Sequence, residues 1–259
     1  MPTNRISIDS VMETLSMNIN HSPESIGLPL IEGTGEGTKI CLLDCGTPKH
    51  KEIVNIAENI NFSGSNDKED LLGHATVMTG LMVGNGGITG IAPAASMYFA
   101  KVIDDTGASR IDSLIAGILW SIIKEVNVLC IPLSTDLNSP AVHDAIKKAH
   151  NRKISIVASA GNSKHVMYPA KYDEVLSVGA TDSNGGVASF SAQGDVNLIG
   201  VRQVSCYLEN AYAVASGSSV ATAYAAGVMA LLIEDCRKKK IDPTPSIIHK
   251  MMQSLPIQR

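Results

Sequence analysis

Short apolar runs alternate with helix-spaced segments along most of this chain, and that alternation constrains its fold more than any other feature. Residues 39–43 (KICLL) form a run rich in strand formers, closed by the turn Asp44-Cys45-Gly46. Residues 96–102, 126–133, 154–160 and 174–181 predict four more strands. Between them, residues 112–124 space Leu114, Ile115, Ile118, Leu119 and Ile122 as a helix does, and residues 141–150 predict a shorter helix. A long helix over 219–234 carries Ala221, Ala223, Ala225, Ala226 and Gly227, followed by Arg237-Lys238-Lys239-Lys240 where the helix dipole favours positive charge. Strands that are apolar throughout need cover on both faces. The pattern therefore reads as α/β, a mostly parallel central sheet with helices on both faces.

Composition narrows this further. The chain has 259 residues, 44% hydrophobic, and only 4% aromatic, so its core must be aliphatic and close-packed. Residues 1–37 are polar and irregular, with Pro23, Pro29 and three glycines, and read as an extension and lead-in to one domain over 38–259. A net charge of −4 gives no electrostatic reason to expect a nucleic-acid partner. The start of the chain has no apolar secretory core, and the run from Leu114 to Ile123 is far shorter than the ~18–20 residues that span a bilayer. No membrane partner is expected. Five scattered cysteines without a CxxC pair read as thiols of a reducing compartment, so a cytoplasmic location is expected.

Functional groups in open α/β sheets gather at the carboxyl ends of the strands. Asp44 closes the first predicted strand, His74 opens a helical segment (GHATVMTG), and Ser219 precedes the long helix (GSSVATAYAAG). Singly, each has a plainer reading as a turn residue or helix cap. Taken in order, Asp, then His thirty residues on, then Ser before a helix, they form one of the known chain orders of a Ser-His-Asp triad. Neither the spacing of a zinc site nor a phosphate-binding P-loop is present in the sequence.

From about residue 38 to 235 the chain resembles the subtilisin-like serine proteases, the subtilases, with a layout similar to that of intracellular subtilisins. Asp44-Cys45-Gly46 resembles the family's Asp-Ser/Thr-Gly, and His74 to Gly80 resembles His-Gly-Thr-His-Val-Ala-Gly. Gly90-Ile91-Ala92-Pro93 resembles Gly-Val-Ala-Pro, and Ser159-Ala160-Gly161-Asn162 resembles Ala-Ala-Gly-Asn. Tyr168-Pro169-Ala170, Ser189-Phe190-Ser191 and Gly217-Ser218-Ser219-Val220-Ala221 resemble three further motifs in the family's order. The resemblance implies a three-layer subtilisin-like fold and a serine endopeptidase working through an acyl-enzyme on a peptide or protein substrate. A proteinaceous inhibitor is a further expected partner.

The resemblance implies Ser219 as nucleophile, His74 as general base and Asp44 as its orienting carboxylate. Ser218 is the competing nucleophile, and the motif register selects Ser219. Asn162 would donate to the oxyanion. An extended substrate would pair with Gly107, Ala108 and Ser109 on one edge and Leu133, Ser134 and Thr135 on the other, with Ser159, Ala160 and Gly161 beside it. Several positions depart from the family. Ala75 and Val77 replace a glycine and a histidine, Ala223 and Tyr224 a proline and a histidine, and Pro132 to Thr135 the usual Ser-Leu-Gly-Gly. Met167 falls near a small residue of the specificity pocket and implies a shallower pocket that takes small or medium side chains. The loop from Gly84 to Thr89 offers few oxygen ligands, with Glu52 as one survivor, so no strong calcium site and no other cofactor or metal is expected. Thirty-seven leading residues are too few for the family's folding prodomain, and residues 28–31 are a candidate stretch to cover the cleft. Cys45 reads as a buried small residue. Two rival readings stand beside the general endopeptidase. One is a maturation protease dedicated to a single peptide or structural protein, and the other is a catalytically silent subtilase-fold binding protein.

Overall fold

The computed structural model describes residues 19–256. Seven strands form the central sheet in the order β3 (Ile56–Asn61), β5 (Ser96–Lys101), β2 (Lys39–Asp44), β6 (Val128–Ile131), β7 (Ser155–Ser159), β8 (Val175–Thr181), β9 (Val196–Ile199), and every pairing is parallel. Alternate residues of the inner strands feed opposite cores. Ile40, Leu42, Val128, Cys130 and Val157 face α1 (His74–Val83) and α4 (Ser218–Lys238). Cys41, Leu43, Leu129, Ile131, Ile156 and Ala158 face α2 (Ile111–Ile123) and α3 (Pro140–Asn151). The three-layer α/β architecture follows, with helices on both faces.

The small residues of α4 let it lie in the middle of the larger core. A Cβ added at Gly227 would stand 2.7 Å from the Ile91 Cβ. By length and composition α4 could cross a bilayer, but its most apolar window is 94% buried within the protein, so it is a core helix. α5 (Pro245–Ser254) packs beside it, with proline in its first turn.

The two outer strands β3 and β9 escape the sequence pattern. Glu58, Asn59, Asn61 and Asn197 break their apolar runs because an edge strand has a solvated side. Outside the main sheet, β10 (Gln203–Cys206) and β11 (Tyr212–Ala215) pair antiparallel, and β1 (Ile19–Asn20) pairs parallel with β4 (Ile88–Thr89). The predicted third strand is shorter than expected, because Pro132 and the residues after it leave the ladder.

The lead-in packs into the body. Ile26 and Leu28 are buried in the core cluster of α1 and α4, and the Glu234 carboxylate on α4 accepts the backbone N–H groups of Thr34 (2.9 Å) and Gly35 (2.7 Å). Residues 28–31 therefore do not cover the cleft. Leu28 is core, while Leu30 and Ile31 border a surface hollow with Pro23, Thr89 and Pro93. The predicted extension before residue 19 lies outside the described residues.

Candidate active site

The β2 ladder ends at Asp44, whose carbonyl accepts the N–H groups of Val102 (2.8 Å) and Ile103 (3.2 Å). With its backbone fixed, the buried Asp44 carboxylate accepts the Cys45 N–H at 2.7 Å. It also accepts Nδ1–H of His74, with 2.8 and 2.9 Å to its two oxygens. This assigns the proton to Nδ1 and leaves Nε2 as the basic nitrogen. Burial opposes the charged imidazolium. Asp44, and more weakly Asp70, outweigh it and hold His74 above the ordinary histidine range.

His74 is the first residue of α1, and a buried carboxylate absent from the sequence reading fixes that helix start. Asp70 accepts the N–H groups of Leu72 (3.0 Å), Gly73 (2.7 Å) and Thr76 (2.7 Å) and the Thr76 hydroxyl (2.6 Å). The Gly73 and Thr76 N–H groups are among the donors that a helix N-terminus leaves unpaired. An aspartate shortly before a helix-opening glycine was the available signal. Gly73 has φ +83°, and a Cβ there would stand 2.3 Å from the Tyr207 ring, so glycine is required. The Cys45 thiol is buried, as expected, and also reaches Asp70 at 3.1 Å. Burial first, then Asp44 and Asp70, push the thiol well above its ordinary range.

Ser218 and Ser219 separate cleanly. The Ser218 hydroxyl is buried and donates to Asn162 Oδ1 at 2.8 Å, where the Ser218 N–H also donates at 3.0 Å. The Ser159 hydroxyl lies 2.7 Å from Ser218 Oγ and accepts the Gly161 N–H at 3.2 Å. Ser218 is thus tied into a chain linking the end of β7 to the start of α4, while Ser219 lines a cavity of about 400 Å3 together with His74. The walls of that cavity include Leu72, Met78, Tyr207 and Val220. With its amide oxygen taken by Ser218, the exposed Asn162 has only its NH2 end to offer.

The two expected cleft edges differ in form. Gly107, Ala108 and Ser109 form an exposed loop in which Asp104 N–H bonds to Ala108 O (2.8 Å), and Gly107 borders the cavity. On the other side, Leu133 and Ser134 leave the sheet after Ile131. Thr135 does not stand free to pair with a substrate. Its N–H and C=O are both bonded to Tyr168 (2.8 and 2.9 Å). Ser159 and Ala160 are buried. Met167 folds over Gly161, where an added Cβ would stand 2.7 Å from its sulfur.

Glu52 is buried away from this cavity. Its carboxylate accepts the Ile88 N–H at 2.8 Å and the Tyr212 hydroxyl, so it holds the short loop before β4 directly. Ligand atoms of His50 and Cys206 lie within 4.8 Å of it. That mixture of nitrogen, sulfur and oxygen is not the all-oxygen shell calcium takes.

A parallel three-layer fold, with an aspartate–histidine pair at the strand ends and a serine at a helix start across one cavity, defines a class of hydrolase. The chain belongs to that class: residues 35–254 match the family model Peptidase_S8, the subtilase family. It is 37% identical over 208 residues to the minor extracellular protease Epr of Bacillus subtilis, covering 77% of this chain and 32% of that protein. It is 32% identical over 228 residues to subtilisin DY of Bacillus licheniformis, covering 80% and 83% of the two chains. A thermostable alkaline protease of Halalkalibacterium halodurans is 35% identical over 207 residues, 76% of this chain and 57% of that protein. The chain thus spans about a third of Epr, somewhat over half of the alkaline protease, and most of subtilisin DY.

Proposed function

We propose that this subtilase is a serine endopeptidase that cleaves peptide bonds through an acyl-enzyme. The carrying observation is the Asp44–His74 pair, whose histidine lines a cavity that Ser219 also lines. His74 Nε2 takes the proton of Ser219 as Oγ attacks the scissile carbonyl, then gives it to the leaving amine. Asp44 holds the tautomer and steadies the imidazolium. Asn162 and the Ser219 N–H donate to the oxyanion, and Ser218 holds Asn162 with its NH2 end outward. The extended peptide lies along residues 107–109 and against Leu133 and Ser134. Met167 over Gly161 shortens the pocket, favouring small or medium residues at the cleaved position.

The reading includes no strong calcium site, because Glu52 serves the loop at 84–89 itself. It includes a reducing compartment, supported by five free, buried cysteines. The partner is a peptide or protein, and a protein inhibitor that mimics one would fit the same cleft. A fluorophosphonate tests the core claim. One adduct is expected on the wild type and none on Ser219→Ala, as read by mass spectrometry. An unlabelled wild type would support the silent binding protein instead.

A further inference from the structure

Asp44, Cys45 and His74 bring a carboxylate oxygen, a thiol sulfur and an imidazole nitrogen within 4.8 Å of one another. Cys45 and His74 both line the cavity that holds Ser219, which gives an entry path and room for a further ligand. The surroundings favour a cation. Asp44 and Asp70 flank the thiol, and the Lys101 ammonium is taken by Asp105 and the Glu69 carbonyl. Thiolate, imidazole and carboxylate are the ligand types zinc takes, at about 2.0–2.3 Å each, which separates tetrahedral ligands by roughly 3.3–3.6 Å. From the observed 2.8 Å the Asp44–His74 pair opens by about half an ångström, and the sulfur, within 4.8 Å of both, closes by at most roughly 1.5 Å.

We propose that Cys45 makes the Asp44–His74 pair an inhibitory site for zinc and similar thiophilic divalent cations. The metal bonds to Cys45 Sγ, His74 Nδ1 and Asp44. The thiol proton leaves to solvent, and the Nδ1 proton is replaced by metal and moves to Nε2, so the imidazole stays neutral and nothing is oxidised. Nε2 then carries a hydrogen and cannot accept one from Ser219. This inhibition rests on the catalytic reading above, whereas metal binding does not.

The test uses the full chain and cadmium, whose bond to a thiolate is read by its ultraviolet charge-transfer absorbance, with peptide hydrolysis measured under zinc in parallel. One equivalent of cadmium is expected to raise the band in the wild type, in Ser219→Ala and in Cys206→Ser, which removes the thiol near Glu52. Cys45→Ser is expected to lose it. His74→Ala keeps the thiol in place and is expected to bind cadmium at least tenfold more weakly. Zinc is expected to lower wild-type hydrolysis at least tenfold, reversibly on chelation, and to lower Cys45→Ser less than twofold relative to its own metal-free rate. A band that survives in Cys45→Ser, or equal zinc inhibition of both proteins, overturns the proposal. Hydrolysis without a band overturns the metal site alone. A band without hydrolysis or fluorophosphonate labelling leaves the site and overturns the catalytic reading.

Discussion

At the scale of single residues, the carboxylate behind the histidine matters as much as the one beside it. Asp70 satisfies four donors around the first turn of α1 and adds to the field that favours charged His74. Asp70→Asn keeps the shape but removes the charge. It is expected to lower kcat by about 10–100-fold with little change in KM, since small misplacement of a catalytic group costs on that order. The acid limb of kcat/KM should also move to lower pH, which a purely structural loss would not cause. Ser218→Ala removes the hydroxyl's bond to the Asn162 amide oxygen and leaves the backbone N–H bond in place. It should slow labelling of Ser219 by about tenfold or more, short of the ~10²–10³ lost in kcat when such an asparagine is itself removed. The double variant should be no slower than Asn162→Ala alone, as measured by acylation rate. Residues such as Asp44, His74 and Ser219 were legible because their motifs survive in order. Asp70 and Ser218 were not, because their importance lies in partners that the fold brings to them.

At the scale of elements, the sheet was legible wherever a strand is covered on both faces. The predicted runs at 39–43, 96–102, 154–160 and 174–181 match β2, β5, β7 and β8 within a residue or so. The edge strands and the β10–β11 hairpin were hidden by their polar residues and by a loop of unremarkable composition. That hairpin supplies Tyr212, which closes over Glu52, while Glu52 also accepts the Ile88 N–H. Gly86 belongs there for lack of space, since a Cβ would stand 2.6 Å from Glu52 Cγ. The buried Glu52 carboxylate bridges the loop at 84–89 and the β10–β11 hairpin. Glu52→Ala removes the acceptor of the buried Ile88 N–H and one bond of the half-buried Tyr212 hydroxyl, and should cost about 1–3 kcal/mol in urea unfolding. Chelator should leave the wild-type melting temperature unchanged, and a large drop would show that a calcium ion shares the work.

At the scale of the whole molecule, His74 and three other buried or half-buried histidines carry opposite pH signs. His74 lies above the ordinary range of about 6.5. Its pairing with Asp44 therefore adds stability that is fully present below pH ~6.5 and is lost as pH rises through the raised value. Activity runs the other way, because the base must be neutral: kcat/KM should climb through that same raised value. His21, His50 and His249 are held neutral mainly by burial, His249 down to about 4. His249 Nε2 is buried without a hydrogen-bond partner among the described residues, at the junction of α5 and the sheet. For these three, stability is present above pH ~6.5 and is lost as pH falls toward their lowered values. His249 alone loses about 2 kcal/mol by pH 5 on this reckoning. With His249 leading, the melting temperature should fall between pH 7 and 5 while the Asp44–His74 pair resists. His249→Gln should flatten that fall, and His74→Ala should steepen it. A wild-type melting temperature that rises on acidification would place the Asp44–His74 pair, not the buried neutral histidines, in control of the fold's pH response.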